Sequence, residues 1–294
     1  MASPWTIGII GGSGLYAIEG LEGAQWIAVE SPWGEPSDAI LCGKIGDVRV
    51  RFLPRHGRGH PISPSELNSR ANIDALKRVG CTDILAISAV GSLREEIKPG
   101  HFAIAEQFID RTVARQSSFF GSGFVTHVSM ADPVCARLSD MAAKAIKAAK
   151  GKASSGATYL AMEGPQFSTR AESRMYREWG ADVIGMTAMP EAKLAREAEL
   201  PYALIGMVTD YDCWRASEPG GEAVDVAQVV AQMQENSDLA REMVVRFIEA
   251  LPAERTPSPI DYALNDAVLT APDEHDPELI AKLDAVARRL FPEE

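Results

Sequence analysis

Apolar residues gather in short dense runs along this chain, and amphipathic stretches separate most of the later ones. The runs fall at 6–11, 38–45, 48–54, 83–91, 101–109, 158–164, 182–186 and 202–210. Several are apolar almost throughout, the pattern of strands buried on both faces. Between them the spacing switches to a helical period at 63–80, 132–151, 168–180 and 190–199, then over one long stretch at 223–251. The first of these opens on Ser-Pro and stops at Gly, and the second opens on Asp-Pro and ends in lysines and Gly. Strands alternating with helices predict an α/β fold with a mostly parallel sheet under helices. A Pro-rich break at 252–260 separates this block from a short amphipathic helix predicted at 276–290. We read 1–254 as one domain and 255–294 as a C-terminal extension that packs on it or on a neighbouring subunit.

Composition changes this picture little. At 294 residues, 46% hydrophobic and 24% charged, the chain can bury a sizeable core in one domain. Charge does narrow the partners. The formal net charge of −12 disfavours nucleic acid and anionic lipid, so any bound anion must be held by a local arrangement against the global field. Four scattered cysteines form no CxxC pair, so neither a metal site nor a redox motif is expected, and a reducing cytoplasm suits them. Neither a secretory leader nor a membrane span is expected.

Five stretches carry candidate chemistry. "GIIGGSGLY" runs a strand into a glycine turn with one hydroxyl, Ser13. Its glycines miss the dinucleotide spacing, and the alternatives are a plain tight turn or a nest of backbone N–H groups around a small anion. "PRHGRGH" places Arg55 and His56 just past an apolar strand, where functional side chains gather in α/β sheets and where a guanidinium fork matches phosphate oxygens. "ISAVGSLREEIKPG" ends a strand in Ser88, Ala89 and Gly91, small enough for a ligand to approach the backbone. "MEGPQFSTRAES" joins Phe167 to Ser168 ahead of a later Gly-Met-Thr at 185–187. "TDYDCW" puts Asp210 and Asp212 two apart after a buried strand, so that both point the same way in an extended segment.

In this order, together with "QFIDRT" and "WGADVIGMT", these stretches resemble the trimeric purine nucleoside phosphorylases from about Ile7 to Leu251. The resemblance is nearest to members that act on 5′-methylthioadenosine. It implies a single-domain αβα fold whose central mixed sheet is partly barrel-like. It implies a pentosyltransferase that converts methylthioadenosine and phosphate reversibly to adenine and 5-methylthioribose 1-phosphate, a step of purine and methionine salvage. No metal or organic cofactor is implied, phosphate being a co-substrate. The implied assembly is a homotrimer, with a dimer of trimers as the alternative.

The same resemblance assigns residues. Ser13, Arg55, His56, Ser88, Ala89 and Thr187 would hold phosphate, and Met186 would lie beneath the ribose. Phe167, Ser168, Asp210, Tyr211 and Asp212 would hold the base. Val226, Val229 and Val230, with Ser168, would set specificity around the base and the 5′ group. Asp210 is the candidate acid at purine N7, with a pKa raised by exclusion of water. Ser168 and Asp210 stand where relatives specific for 6-oxopurines carry Glu and Asn, which favours a 6-aminopurine. The competing readings are a phosphorylase that also takes adenosine, a nucleosidase using water, a dinucleotide oxidoreductase and a nucleoside-binding protein without turnover.

Overall fold

The computed structural model describes residues 4–12, 14, 15, 18–215 and 226–291, with the backbone alone at 226 and 228. Nine strands form one sheet: β1 (Thr6–Gly11), β2 (Glu22–Ile27), β3 (Ile40–Ile45), β4 (Val48–Pro54), β5 (Asp83–Ser92), β6 (Phe102–Arg111), β7 (Ala153–Met162), β8 (Val183–Gly185) and β9 (Tyr202–Asp210). The helices are α1 (Ser69–Arg78), α2 (Ala136–Ala148), α3 (Arg170–Glu178), α4 (Ala188–Glu197), α5 (Val226–Glu249) and α6 (Pro277–Lys282).

The sheet order is β2-β3-β4-β1-β5-β8-β7-β6-β9, and β9 returns to pair with β5. Strands β5 to β9 therefore close a five-stranded ring, and β1 to β4 extend from it as an open wing. The sheet is mixed and partly barrel-like: β1 lies parallel to β4 and β5, whereas β3 runs antiparallel to its neighbours. Closure removes free edges from the ring.

Alternating side chains on the same strands feed two cores. Ile7, Ile9, Leu85 and Ile205 face the layer of α2 and α5, whereas Ile10, Ile84, Ala86 and Leu204 face the layer of α1 and α4. This two-sided burial is why the strands read as continuous apolar runs. Strand β2 is the exception, because every one of its residues is exposed at the edge of the wing.

One irregularity positions the site. Strand β5 pairs with β1 over Asp83–Ala86 and with β8 only at Gly91 and Ser92. Between those stretches, Ile87 to Val90 have no strand partner on that edge, although β9 continues to pair with the other. The β5–β9 register also slips between Val90 and Gly91, opposite Asp210. A strand whose neighbours diverge leaves a crevice at its carboxyl end.

The extension after α5 lies against the same chain. Arg255 joins buried Asp83 and Asp261, the Leu264 amide donates to Glu199, and Arg289 and Arg78 pair with Glu199 and Asp284. Leu264, Leu283 and Val286 complete the core on the α1–α4 face.

Candidate active site

A cavity of about 270 Å³ opens at the gap in β5. Ser88, Ala89 and Gly91 of β5 line it, with Asp210 and Asp212 at the end of β9. Gly91 leaves little room for a side chain: a Cβ there would stand 3.1 Å from Asp210 Oδ2 and 3.2 Å from Ile184 Cγ2, so both would have to give. The small strand end thus lets the two carboxylates approach the sheet.

Asp210 is held by its neighbours. Its Oδ1 accepts from the Thr209 hydroxyl at 2.6 Å and its Oδ2 from the Asp212 amide at 2.8 Å. Burial raises its pKa above the ordinary carboxylate value, and these two hydrogen bonds oppose the rise. Asp212 sits at φ +49, accepts from buried Ser173 of α3, and is likewise pushed up by burial. Tyr211, between them, turns away from the cavity where the chain leaves β9. Its ring packs on Trp214 and its hydroxyl meets the Glu95 carbonyl, so Tyr211 is not part of the cavity wall.

Of the expected oxyanion ligands, Ser88, Ala89, Arg55, His56 and Thr187 all line the cavity, while Ser13 lies outside the described residues. The Ser88 hydroxyl is buried beside the Tyr159 hydroxyl without a well-formed hydrogen bond, an arrangement that a bound acceptor would complete. Alternation along β5 accounts for Ala89, which has no side-chain donor. Ile84 directs its amide towards the β9 side, whereas the Ile87 carbonyl faces the other edge and meets Arg55. Ala89 shares the parity of Ile87, so its amide is directed into the gap.

Arg55 differs from the free cation expected. It is 1% exposed, and Glu191 of α4 binds it through both carboxylate oxygens at 3.0 and 3.2 Å. The Ile87 and Ile10 carbonyls take further N–H groups, at 2.7 and 3.3 Å. Burial works against its charge, and the Glu191 carboxylate more than restores it. Most of the guanidinium is therefore committed to the protein, and it ties the ends of β1, β4 and β5 to α4. Tyr202 extends the network by donating to Glu191 Oε1 at 2.7 Å.

His56 Nδ1 lies 2.9 Å from the Ile62 carbonyl, which fixes that nitrogen as the donor, and the ring stacks on His60 at 4.2 Å. Burial lowers the His56 pKa to about 4, helped by Arg55 and His60 and opposed by the Ile62 carbonyl. The ring is neutral at neutral pH.

The remaining walls are apolar. Met186 and Phe167 line the cavity, Phe167 with half its surface exposed at 53%. Ser168 does not line it: its hydroxyl turns to Met162 Sδ at 3.3 Å, and its carbonyl accepts from Cys213. On α5, Val229 and Met233 face inward, whereas Val230 is 42% exposed and faces out. Adjacent helical residues are about 100° apart, and here that rotation turns Val230 to the outside when Val229 faces the cavity. The Val226 side chain lies outside the described residues. Sequence reasoning missed Glu191, Tyr202, His60 and Met233. Only Glu191 left a signal, as an acid within a helix bordered by apolar strands, where a buried arginine would need a counter-ion. Among the described residues, no group of three or more His, Cys, Asp or Glu side chains is arranged to hold a metal ion.

Comparison with known proteins agrees with this architecture. The profile of the phosphorylase superfamily matches residues 6–249. An S-methyl-5′-thioadenosine phosphorylase of Cereibacter sphaeroides is 56% identical, covering 97% of this chain and 98% of its own. One from Rhodospirillum rubrum is 53% identical over 97% of each chain. Among solved structures, a methylthioadenosine phosphorylase from an Antarctic soil metagenomic library superposes with a TM-score of 0.90 at 45% identity, covering 96% of this chain and 99% of that one. The methylthioadenosine phosphorylase of Schistosoma mansoni in complex with adenine superposes at 0.75 with 38% identity, covering 83% and 91%. This chain belongs to the phosphorylase superfamily, in the family of the S-methyl-5′-thioadenosine phosphorylases.

Proposed function

We propose that the chain catalyses reversible phosphorolysis of S-methyl-5′-thioadenosine, releasing adenine and 5-methylthioribose 1-phosphate. The observation that carries this reading is the polarity of one cavity along β5. Ser88, whose buried hydroxyl faces the cavity without a well-formed hydrogen bond, and Ala89 lie at one position; the Asp210 and Asp212 carboxylates lie opposite Gly91. Three residues of strand span roughly 10 Å, the reach of a ribosyl purine. Phosphate would sit against Ser88, the Ala89 amide, Thr187 and His56, with Ser13 closing the cradle. Met186 would floor the ribose, and Phe167 would flank the base.

In this reading phosphate attacks the anomeric carbon as the glycosidic bond breaks, and its charge stabilises the oxocarbenium character of the sugar. The electron pair of that bond leaves with the purine, and Asp210 meets the charge at N7. A carboxyl with a raised pKa can donate there or accept from the 6-amino group. Phosphate is the only co-substrate, and no organic cofactor takes part. Val229 and Met233 offer an apolar wall to a methylthio group. A broader 6-aminopurine reading is favoured by one relative, an adenosine/methylthioadenosine phosphorylase of Schistosoma mansoni that is 38% identical. We further propose a cytoplasmic homotrimer, or a dimer of trimers, built on domain 1–254 with 255–294 as an extension.

The test is release of the free purine, adenine from methylthioadenosine and adenosine and hypoxanthine from methylthioinosine, each with and without phosphate, alongside the mass of the assembly by light scattering. Phosphate-dependent release, fastest with methylthioadenosine, is expected. Adenine release that ignores phosphate, or a free sugar product, would overturn the reading.

A further inference from the structure

Two charged residues behind the cavity are unused by this chemistry. Arg115 follows β6 and its side chain is 5% exposed; Glu163 follows β7. Neither lines the cavity. Arg115 Nε meets Glu163 Oε1 at 3.0 Å, while one terminal nitrogen donates to the Glu163 carbonyl at 2.6 Å. The other donates to the carbonyls of Met186 and Met189, the latter at 2.7 Å. Glu163 returns the contact by accepting from the Val113 amide at 2.7 Å and the Ala114 amide at 3.3 Å. Its carbonyl also accepts from the Ser65 hydroxyl at 3.2 Å, next to Pro64 of the cavity wall.

Arg115 and Glu163 therefore tie together three segments that reach the cavity independently: 64–65 through the Glu163 carbonyl, 163–167, and 186–189 through the guanidinium. Gly164 shows how closely the second presses on the third. It adopts φ +74, and a Cβ there would stand 2.5 Å from Met186 Sδ. Burial alone would push the Glu163 carboxyl up, but the Val113 amide, Arg115 and Ser65 hold it at about 2, so the carboxylate stays ionised throughout the neutral range. Glu163 is a half-buried acid and Arg115 a nearly buried base; beyond their mutual ion pair, their contacts go to backbone groups of 113–114, Glu163, Met186 and Met189. Such an arrangement fixes geometry more than it adds stability.

We propose that Arg115 and Glu163 are positioning residues for the nucleoside half of the site, fixing Met186 under the ribose and Phe167 beside the base. This rests on the phosphorolysis reading for the identity of the ligand. Two of the three tied segments carry nucleoside contacts. Of the proposed phosphate ligands among the described residues only Thr187 is adjacent; His56 stands just past β4, and Ser88 and Ala89 stand on β5.

The experiment is steady-state kinetics of full-length Arg115→Lys and Glu163→Gln against the unaltered enzyme, varying methylthioadenosine and phosphate separately. Adenine affinity by calorimetry and the thermal midpoint are recorded for each. Lysine keeps the charge but cannot address a carboxylate and three carbonyls at once. Arg115→Lys is expected to raise the nucleoside KM at least tenfold and weaken adenine binding similarly, with the phosphate KM within threefold. Glu163→Gln, which keeps its backbone contacts and nearly its shape, should raise the nucleoside KM three- to tenfold. A nucleoside KM within twofold of the unaltered enzyme, or equal factors on both KM values, would overturn the proposal. If Arg115→Lys fails to fold, Glu163→Gln is judged by the same criteria. An unaltered enzyme that releases adenine without phosphate would refute phosphorolysis, and the nucleoside KM and adenine affinity would still judge the two residues.

Discussion

Single residues here are governed by burial and what answers it. Asp210 has its pKa raised because water is excluded, so its proton is retained to higher pH than on an exposed aspartate. If that proton assists the leaving base, kcat/KM falls as pH rises through the raised value, and Asp210→Asn flattens that limb. The same variant should lower methylthioadenosine turnover by roughly 10²-fold and shift relative preference towards methylthioinosine, since an amide can donate to a 6-oxo group. Competition assays with the two nucleosides read this directly. Arg55 teaches a different lesson. Its position past a strand end was legible in the sequence, but its engagement was not, because Glu191 lies 136 residues away. Removing the counter-charge with Glu191→Leu leaves a buried guanidinium unpaired and should cost about 3–5 kcal/mol in denaturant unfolding. Replacing Arg55 and Glu191 together by apolar residues should restore much of that loss.

At the level of elements, a segment was legible where burial imposes a period. Strands β1, β5 and β9 are buried on both faces and read as unbroken apolar runs. Strand β2 is exposed at every position, and backbone pairing with β3 is what holds it, so no hydrophobic pattern marks it. The first half of β7, Ala-Ser-Ser-Gly, is polar and largely exposed for the same reason, and the expected strand began too late. The predicted terminal helix is likewise shorter, Pro277–Lys282 with a 3-10 turn at Arg288–Leu290. On α5 the valine stripe was legible but its rotation was not, because nothing in a helical period says which face meets a cavity. Val229 faces in and Val230 out. Val229→Glu should therefore harm methylthioadenosine at least tenfold more than adenosine, whereas Val230→Glu should leave their ratio within twofold. Relative kcat/KM values separate the two.

Across the whole molecule, pH couples the helical layer to the segment after β6. Glu197 of α4 is 7% exposed and accepts from the Ser118 hydroxyl and the Phe119 amide, both at 2.7 Å. Burial pushes its pKa from 4.5 to about 7, opposed by those two donors and by Lys193. The folded state thus binds this proton more tightly than the unfolded chain does. The associated stability is fully present below about pH 4.5 and is lost as pH rises through 7. At about 1.4 kcal/mol per pKa unit the change is on the order of 3 kcal/mol. Glu197→Gln should remove most of that slope, so unfolding of the unaltered protein and the variant by urea between pH 5 and 8 should converge at the acid end and diverge at the other. The same segment carries Arg115, which reaches the Met186 carbonyl beside the cavity.

The interrupted pairing on one edge of β5 has a consequence for how such a pocket can change. Wherever peptide groups themselves serve as the hook for an oxygen, exchanging Ala89 for another small L-residue leaves the hook in place, and only an imino acid takes it away. On the proposed function, side-chain exchange at Ala89 alone is tolerated, and changes in which glycoside is admitted fall to the rim, at α5 and the loop bearing Phe167.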